Sequence, residues 1–193
     1  MSDRPTILAF AGSLRSDSYN KKLVRIAAQA ARRAGADVTL LDLRELDLPM
    51  YDGDDEKTNG LPPGAKRLKK IMIEAHGFLI ASPEYNSSIS AALKNAIDWA
   101  SRPEPNEKPL VAFVGKVAAI MAASPGALGG LRGLVHLRSI LGNIQVIVLP
   151  DQKAVPKANE AFDESGALKD AKLREEIENL GAKLVHLIRK LDA

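Results

Sequence analysis

ILAFAGSLRSDSYNKKLVRIAAQAARRAG, from Ile7 to Gly35, is the stretch that decides how this chain folds. Ile7 to Ala11 is a short apolar run, as expected of a buried strand. It leads straight into Gly12-Ser13-Leu14-Arg15-Ser16-Asp17-Ser18, and a helical period opens near Asn20. Leu23, Ile26, Ala27 and Ala30 share one face of that helix, which runs to Ala34 and is closed by Gly35. The loop between strand and helix has a chemistry of its own. Backbone N–H groups point outward at a helix N-terminus, and the helix dipole favours an anion there. Ser13, Ser16 and Ser18 add hydroxyl donors, and Arg15 adds a charge-assisted one. These features suit a phosphate. The loop matches neither G-x-x-x-x-G-K-[ST] nor G-x-G-x-x-G, so it is neither a P-loop nor a dinucleotide fingerprint. A plain βα turn capped by a serine has the same composition.

Outward from this unit, short apolar runs alternate with periodic ones. Further strands are expected at Asp37–Leu41, Gly77–Ala81, Lys116–Ala122 (with Leu110 as an earlier alternative start) and Gln145–Leu149. Further helices are expected at Pro63–Ala75, Ser90–Ser101, Leu131–Leu141 and Lys169–Leu191. Pro63 suits a first helical position, and Arg102-Pro103 stops the helix before it. In the last helix Leu173, Ile177, Leu180, Leu184 and Leu187 recur every three or four residues. The strands are apolar without clear alternation, as in a parallel sheet covered on both faces. The order of elements predicts one doubly wound α/β domain over residues 1–193. Two long connections stand out. Asp42–Leu61 contains Asp54-Asp55-Glu56, which reads as a solvated loop. Asp151–Leu168 is too long for a simple turn and is expected to cover a site or reach a partner.

Ligands of open α/β sheets bind at the carboxyl ends of the strands. Two more loops should therefore meet the first. Ser82-Pro83-Glu84-Tyr85-Asn86-Ser87-Ser88 follows the third strand. Pro83 fixes its own φ and pushes Ser82 into an extended conformation. Tyr85 offers an aromatic surface, and Asn86 offers both donor and acceptor, which suits a planar heterocycle. An ordinary turn capping the next helix through Ser88 or Ser90 is the alternative. Ser124-Pro125-Gly126-Ala127-Leu128-Gly129-Gly130 follows the fourth strand. Its glycines allow the backbone to approach a flat ligand closely, or make it a flexible connection. One loop for a phosphate and two for a flat ring suggest a phosphorylated flavin.

The totals narrow the field. The chain has 193 residues, a net charge of +3 and 4% aromatic residues, which gives no support to nucleic-acid binding. It has no cysteine, which excludes disulfides, thiol nucleophiles and cysteine metal sites. No apolar run is long enough to span a bilayer, and MSDRPTILAF lacks the pattern of a signal peptide, so a cytoplasmic protein without membrane contact is expected. His76, His136 and His186 lack metal-ligand spacing and read as surface or packing residues. Ser13 sits in no G-x-S-x-G motif, which argues against a hydrolase. Trp99 reads as packing for its helix.

In these three loops the chain resembles the NADPH-dependent FMN reductase family of flavodoxin-like proteins, which includes quinone, azo-dye and chromate reductases. The resemblance lies in GSLRSDSYN (Gly12 to Asn20), SPEYNSSISAALKNAIDW (Ser82 to Trp99) and SPGALGGLR (Ser124 to Arg132). It implies a three-layer α/β sandwich around a five-stranded parallel sheet of order 2-1-3-4-5. It implies that Ser13, Arg15, Ser18 and Asn20, with Tyr19 beside them, hold the FMN phosphate. Pro83, Glu84, Tyr85 and Asn86 would line the isoalloxazine, largely through backbone groups, and Ser124 and Gly126 would approach it from the other side. The implied activity is a ping-pong hydride transfer from NADPH or NADH to a small acceptor: a quinone, an azo dye, an oxyanion or free flavin. A flavodoxin-type electron carrier and a Rossmann dehydrogenase are the alternatives, and the missing G-x-G-x-x-G counts against the second. A homodimer or homotetramer is expected. The residues pointing to it are Ile89, Ala92, Leu93, Ala96 and Ile97, with Leu134, Val135, Leu137 and Leu141, which spread over more than one helix face.

Overall fold

Alternation of strand and helix is borne out in a computed structural model that describes residues 4–191. The strands are β1 (Thr6–Ala11), β2 (Asp37–Asp42), β3 (Gly77–Ala81), the short pair β4 (Glu84–Tyr85) and β5 (Ser88–Ile89), β6 (Val117–Ala123) and β7 (Ile147–Val155). The helices are α1 (Tyr19–Arg33), α2 (Gly53–Asn59), α3 (Pro63–Glu74), α4 (Ala91–Ala100), α5 (Leu131–Asn143), α6 (Ala158–Ala161) and α7 (Ala171–Leu191). Five strands form one parallel sheet in the order β2-β1-β3-β6-β7, the expected 2-1-3-4-5 when only the main sheet is numbered.

Strand residues point alternately to the two faces of the sheet. Ile7, Ala9, Leu79, Ala119 and Met121 pack with α1 and α7 through Leu23, Ala27, Leu180 and Leu184. Leu8, Phe10, Phe78, Ile80 and Ile120 pack on the other face with α3, α4 and α5 through Leu68, Leu93, Leu134 and Leu137. Every residue of β3 and β6 is buried, which is why these strands read as unbroken apolar runs. Trp99 is fully buried, donates its indole N–H to the Pro49 carbonyl at 2.8 Å and meets Tyr51 edge-on.

Four expectations need correction. The acidic stretch Asp54-Asp55-Glu56 is the first turn of α2, not a loop. The Asp52 carboxylate accepts the Asp54 N–H at 2.8 Å, and three acidic residues suit the positive end of the helix. The fourth main strand starts at Val117, because 110–116 turn back on themselves through Leu110 and Gly115, both at positive φ. The last strand runs on to Val155. Its register shifts opposite Ala118/Ile120, where Pro150 is tolerated on the sheet edge. The turn at Ser82–Ile89 contains the β4–β5 hairpin, with Asn86 at φ 50° and Ser87 at φ 66° supplying the left-handed pair that a tight hairpin needs.

Candidate functional site

Chain direction in the sheet places the loops after β1, β3 and β6 at one end, on three adjacent strands. The first crossover leads from β1 to the edge strand β2, and the chain then returns to β3 on the other side of β1, so strand order reverses between β1 and β3. Direct bonds tie the first two loops to each other and to β6. The Gly12 N–H donates to the Ala81 carbonyl, and the Ser82 N–H to the Met121 carbonyl. The Ser90 hydroxyl caps α4 by accepting the Leu93 N–H and itself donates to the Gly12 carbonyl. Gly12 is required here: a Cβ would sit 2.8 Å from that of Leu93.

The first loop has the makings of an anion site. Ser18 occupies the N-cap of α1 but makes no side-chain capping bond. The N–H groups of Tyr19, Asn20 and Lys21 have no acceptor among the described residues. The Ser13 hydroxyl oxygen accepts the Arg15 N–H at 3.4 Å, which leaves its own proton to donate. The guanidinium of Arg15 is exposed and makes no hydrogen bond among the described residues. Unfilled helix N–H groups, hydroxyls and one cation form a donor set that fits a phosphate. The side chain of Asn20 does something else. Its amide donates to the Ala123 carbonyl and accepts the Ala123 N–H, both at 2.9 Å, so it pins α1 to β6 and offers a ligand only its backbone N–H. Tyr19 stacks on Phe162 with ring centroids 5.8 Å apart, and the Lys22 ammonium, paired with Asp17, lies over its ring.

The second loop is held by its own acid. The side chain of Glu84 is only 8% exposed. It accepts Nε and Nη2 of Arg132 at 2.9 and 2.6 Å and the Gly133 N–H at 3.0 Å. Burial pushes its carboxyl up, but the Gly133 N–H and the Arg132 bonds outweigh this and hold it below the ordinary range. Glu84 thus locks the hairpin onto the first turn of α5. His136 of α5 adds a contact of 2.9 Å to the Ser88 hydroxyl. Pro83 is buried, and Tyr85 beyond it stands 53% exposed.

The third loop is anchored rather than flexible. The Ser124 N–H donates to the Val155 carbonyl, the Ala158 N–H to the Ser124 carbonyl, and the Lys157 N–H to the Gly126 carbonyl. The Ser124 hydroxyl accepts the Gly126 N–H at 3.3 Å. Much of the long segment after Asp151 therefore has a structural task. It extends β7, and its residues 155–158 form the back wall of this loop. Arg132 and Arg44 are the contributors that sequence reasoning left without a role; Arg44 follows β2 and bonds the Leu14 carbonyl. Among the described residues, no three His, Asp or Glu side chains gather as metal ligands, and no helix is long and apolar enough to cross a membrane.

Residues 5–160 match the family described as NADPH-dependent FMN reductase. The chain belongs to that family. It is 39% identical over 192 residues to an NAD(P)H-dependent FMN reductase of Pseudomonas aeruginosa, covering 99% of both chains. It is 36% identical over 149 residues to a quinone reductase of Escherichia coli, covering 77% of this chain and 76% of that one. Among solved structures, the flavoenzyme NAD(P)H:(acceptor) oxidoreductase FerB of Paracoccus denitrificans superposes with a TM-score of 0.79 at 30% identity, over 96% of this chain and 98% of that one. Membership in the FMN reductase family makes the chain an oxidoreductase that works with FMN and NAD(P)H, and favours that reading over a bare electron carrier.

Proposed function

We propose that the end of the sheet described above holds FMN, takes reducing equivalents from NADPH or NADH and hands them to a small planar acceptor, a quinone foremost. The observation that carries the reading is the uncapped start of α1, ringed by Ser13, Ser18 and the exposed Arg15, beside two rigid loops on neighbouring strands. Bound FMN would supply the hydride chemistry at its ring, and the protein supplies position and electrostatics. Arg15 neutralises part of the phosphate charge, and the first-turn N–H groups of α1 receive its oxygens. Glu84, fixed by Arg132 and Gly133, holds the Pro83–Asn86 backbone against the ring edge. Ser124 and Gly126 shape the opposite approach. Tyr85, half exposed at the rim, gives nicotinamide and acceptor a face to stack on. Both would use this one opening, so oxidised nicotinamide leaves before the acceptor enters. No side chain is needed as a general base. A cytoplasmic setting, where reduced nicotinamide is supplied, suits this chemistry.

Association as a homodimer or homotetramer belongs to the same proposal, on a narrower footing than the helix pattern gave. Leu93, Ala96, Ile97, Leu134, Leu137 and Leu141 are buried in the chain's own core. Near the start of α5, Leu128, Leu131 and Val135 stay exposed, Val135 at 59%. Light scattering at micromolar concentration is expected to give a multiple of the chain mass; a monomer contradicts it.

Turnover tests the main reading. FMN-loaded protein is expected to oxidise NADPH or NADH in proportion to added quinone, with parallel double-reciprocal lines as each substrate is varied. Protein that retains FMN but leaves both nucleotides unoxidised would be an electron carrier instead.

A further inference from the structure

We propose that Arg44 is a positioning residue for the phosphate loop: its guanidinium fork holds the Leu14 carbonyl to one side, so that the N–H of the same peptide, that of Arg15, points to the other. The inference rests on the reading of this loop as the FMN phosphate socket. Arg44 Nε donates to the Leu14 carbonyl oxygen at 2.8 Å, and Nη2 bonds the same oxygen. A trans peptide is planar, with C=O and N–H pointing in opposite directions, and the described chain has no cis peptide. Fixing the Leu14 oxygen therefore fixes the Arg15 N–H, which is directed at Ser13 Oγ. Reversal of this one peptide would turn a carbonyl dipole toward the bound anion and break the Arg15 N–H bond that orients the Ser13 hydroxyl for it.

The backbone of Arg44 is itself seated by Asp42. Asp42 Oδ1 accepts the Arg44 N–H at 3.1 Å, and Asp42 Oδ2 accepts the ammonium of Lys21 at 2.6 Å. Lys21 lies in the first turn of α1, with its side chain only 10% exposed. Burial raises the Asp42 carboxyl, but the Lys21 bond, the Arg44 N–H and the two cations hold it below the ordinary range, so it stays ionised at neutral pH. One carboxylate thus joins the end of β2 to the start of α1, and Arg44 extends the link across to the loop after β1. Arg44 is exposed, so its replacement removes the clamp without opening the core.

The test titrates apoprotein with FMN and with riboflavin, which shares the ring and lacks the phosphate. Wild type, Arg44→Ala and Arg44→Lys are compared, with circular dichroism and melting curves to verify folding. Arg44→Ala is expected to weaken FMN about tenfold, the worth of one oriented charge-assisted hydrogen bond, and to leave riboflavin unchanged. Arg44→Lys keeps the charge without the fork and is expected to recover only part of the loss. Unchanged FMN affinity in Arg44→Ala, equal loss of both flavins, or a lysine variant equal to wild type overturns the inference. Wild-type protein that binds the two flavins equally overturns the phosphate reading beneath it, a result distinguishable from the others.

Discussion

Arg15→Ala is expected to lower the FMN affinity of the apoprotein by about ten- to a hundredfold while riboflavin affinity stays within about twofold. Hydrogen bonds to charged groups contribute about 1.5–3 kcal/mol, which sets that range. Arg15 sits on an exposed loop, so solvent screening favours the lower end. Its guanidinium has no hydrogen-bonded carboxylate to release among the described residues, and removing it breaks no protein contact that holds the loop. The loss should therefore fall on the phosphate alone and grow smaller in high salt. Fluorescence quenching of FMN on binding measures it. Equal affinity for FMN in the variant and wild type would remove Arg15 from the site.

Gly129→Ala is expected to act differently, weakening both flavins and lowering stability by about 2–4 kcal/mol. Gly129 has φ 63°, a conformation that costs little only for glycine. A Cβ at this position would lie 2.6 Å from the Pro156 nitrogen and the Val155 carbonyl carbon. Those atoms are backbone and belong to the segment that also bonds Ser124 and Gly126. The third loop cannot accept a methyl group without leaving its back wall. Denaturant unfolding of the apoprotein measures the stability loss. A variant as stable as wild type, with unaltered riboflavin binding, would show that this loop is not braced as described.

How far the sequence reveals this molecule depends on how each element earns its stability. β1, β3 and β6 are covered on both faces, so burial alone writes them as apolar runs. α1 and α7 each pack one face, and the helical period shows it. α2 buries no residue and is held by its cap and charges, which leave no period to read. The β4–β5 pair has two residues per strand, too few for any alternation. The end of β7 carries Asp151, Gln152 and Lys153 on a sheet edge and looks like a loop for that reason.

The site divides in the same way. Ser13, Arg15 and Ser18 lie within one loop, and their donors are legible there. Asn20 lies among them, but its side chain serves the sheet, a pairing with Ala123 that spans 103 positions. Arg44 reaches Leu14 across 30 positions, and no local spacing marks such a contact. Arg132 lies within the SPGALGGLR motif, yet its pairing with Glu84 across 48 positions appears only in the fold. Most apolar residues of α4 and α5 that suggested a partner turned inward, because both helices lie against the sheet.

The claim at the centre is that the uncapped start of α1 and the loop before it receive the phosphate of FMN. Calorimetric titration of the apoprotein with FMN, set beside riboflavin under the same conditions, tests it most directly. Saturable uptake of FMN with one flavin per chain, and clearly weaker uptake of riboflavin, is the expected result. Apoprotein that takes up no FMN, or takes up both flavins equally, would contradict it.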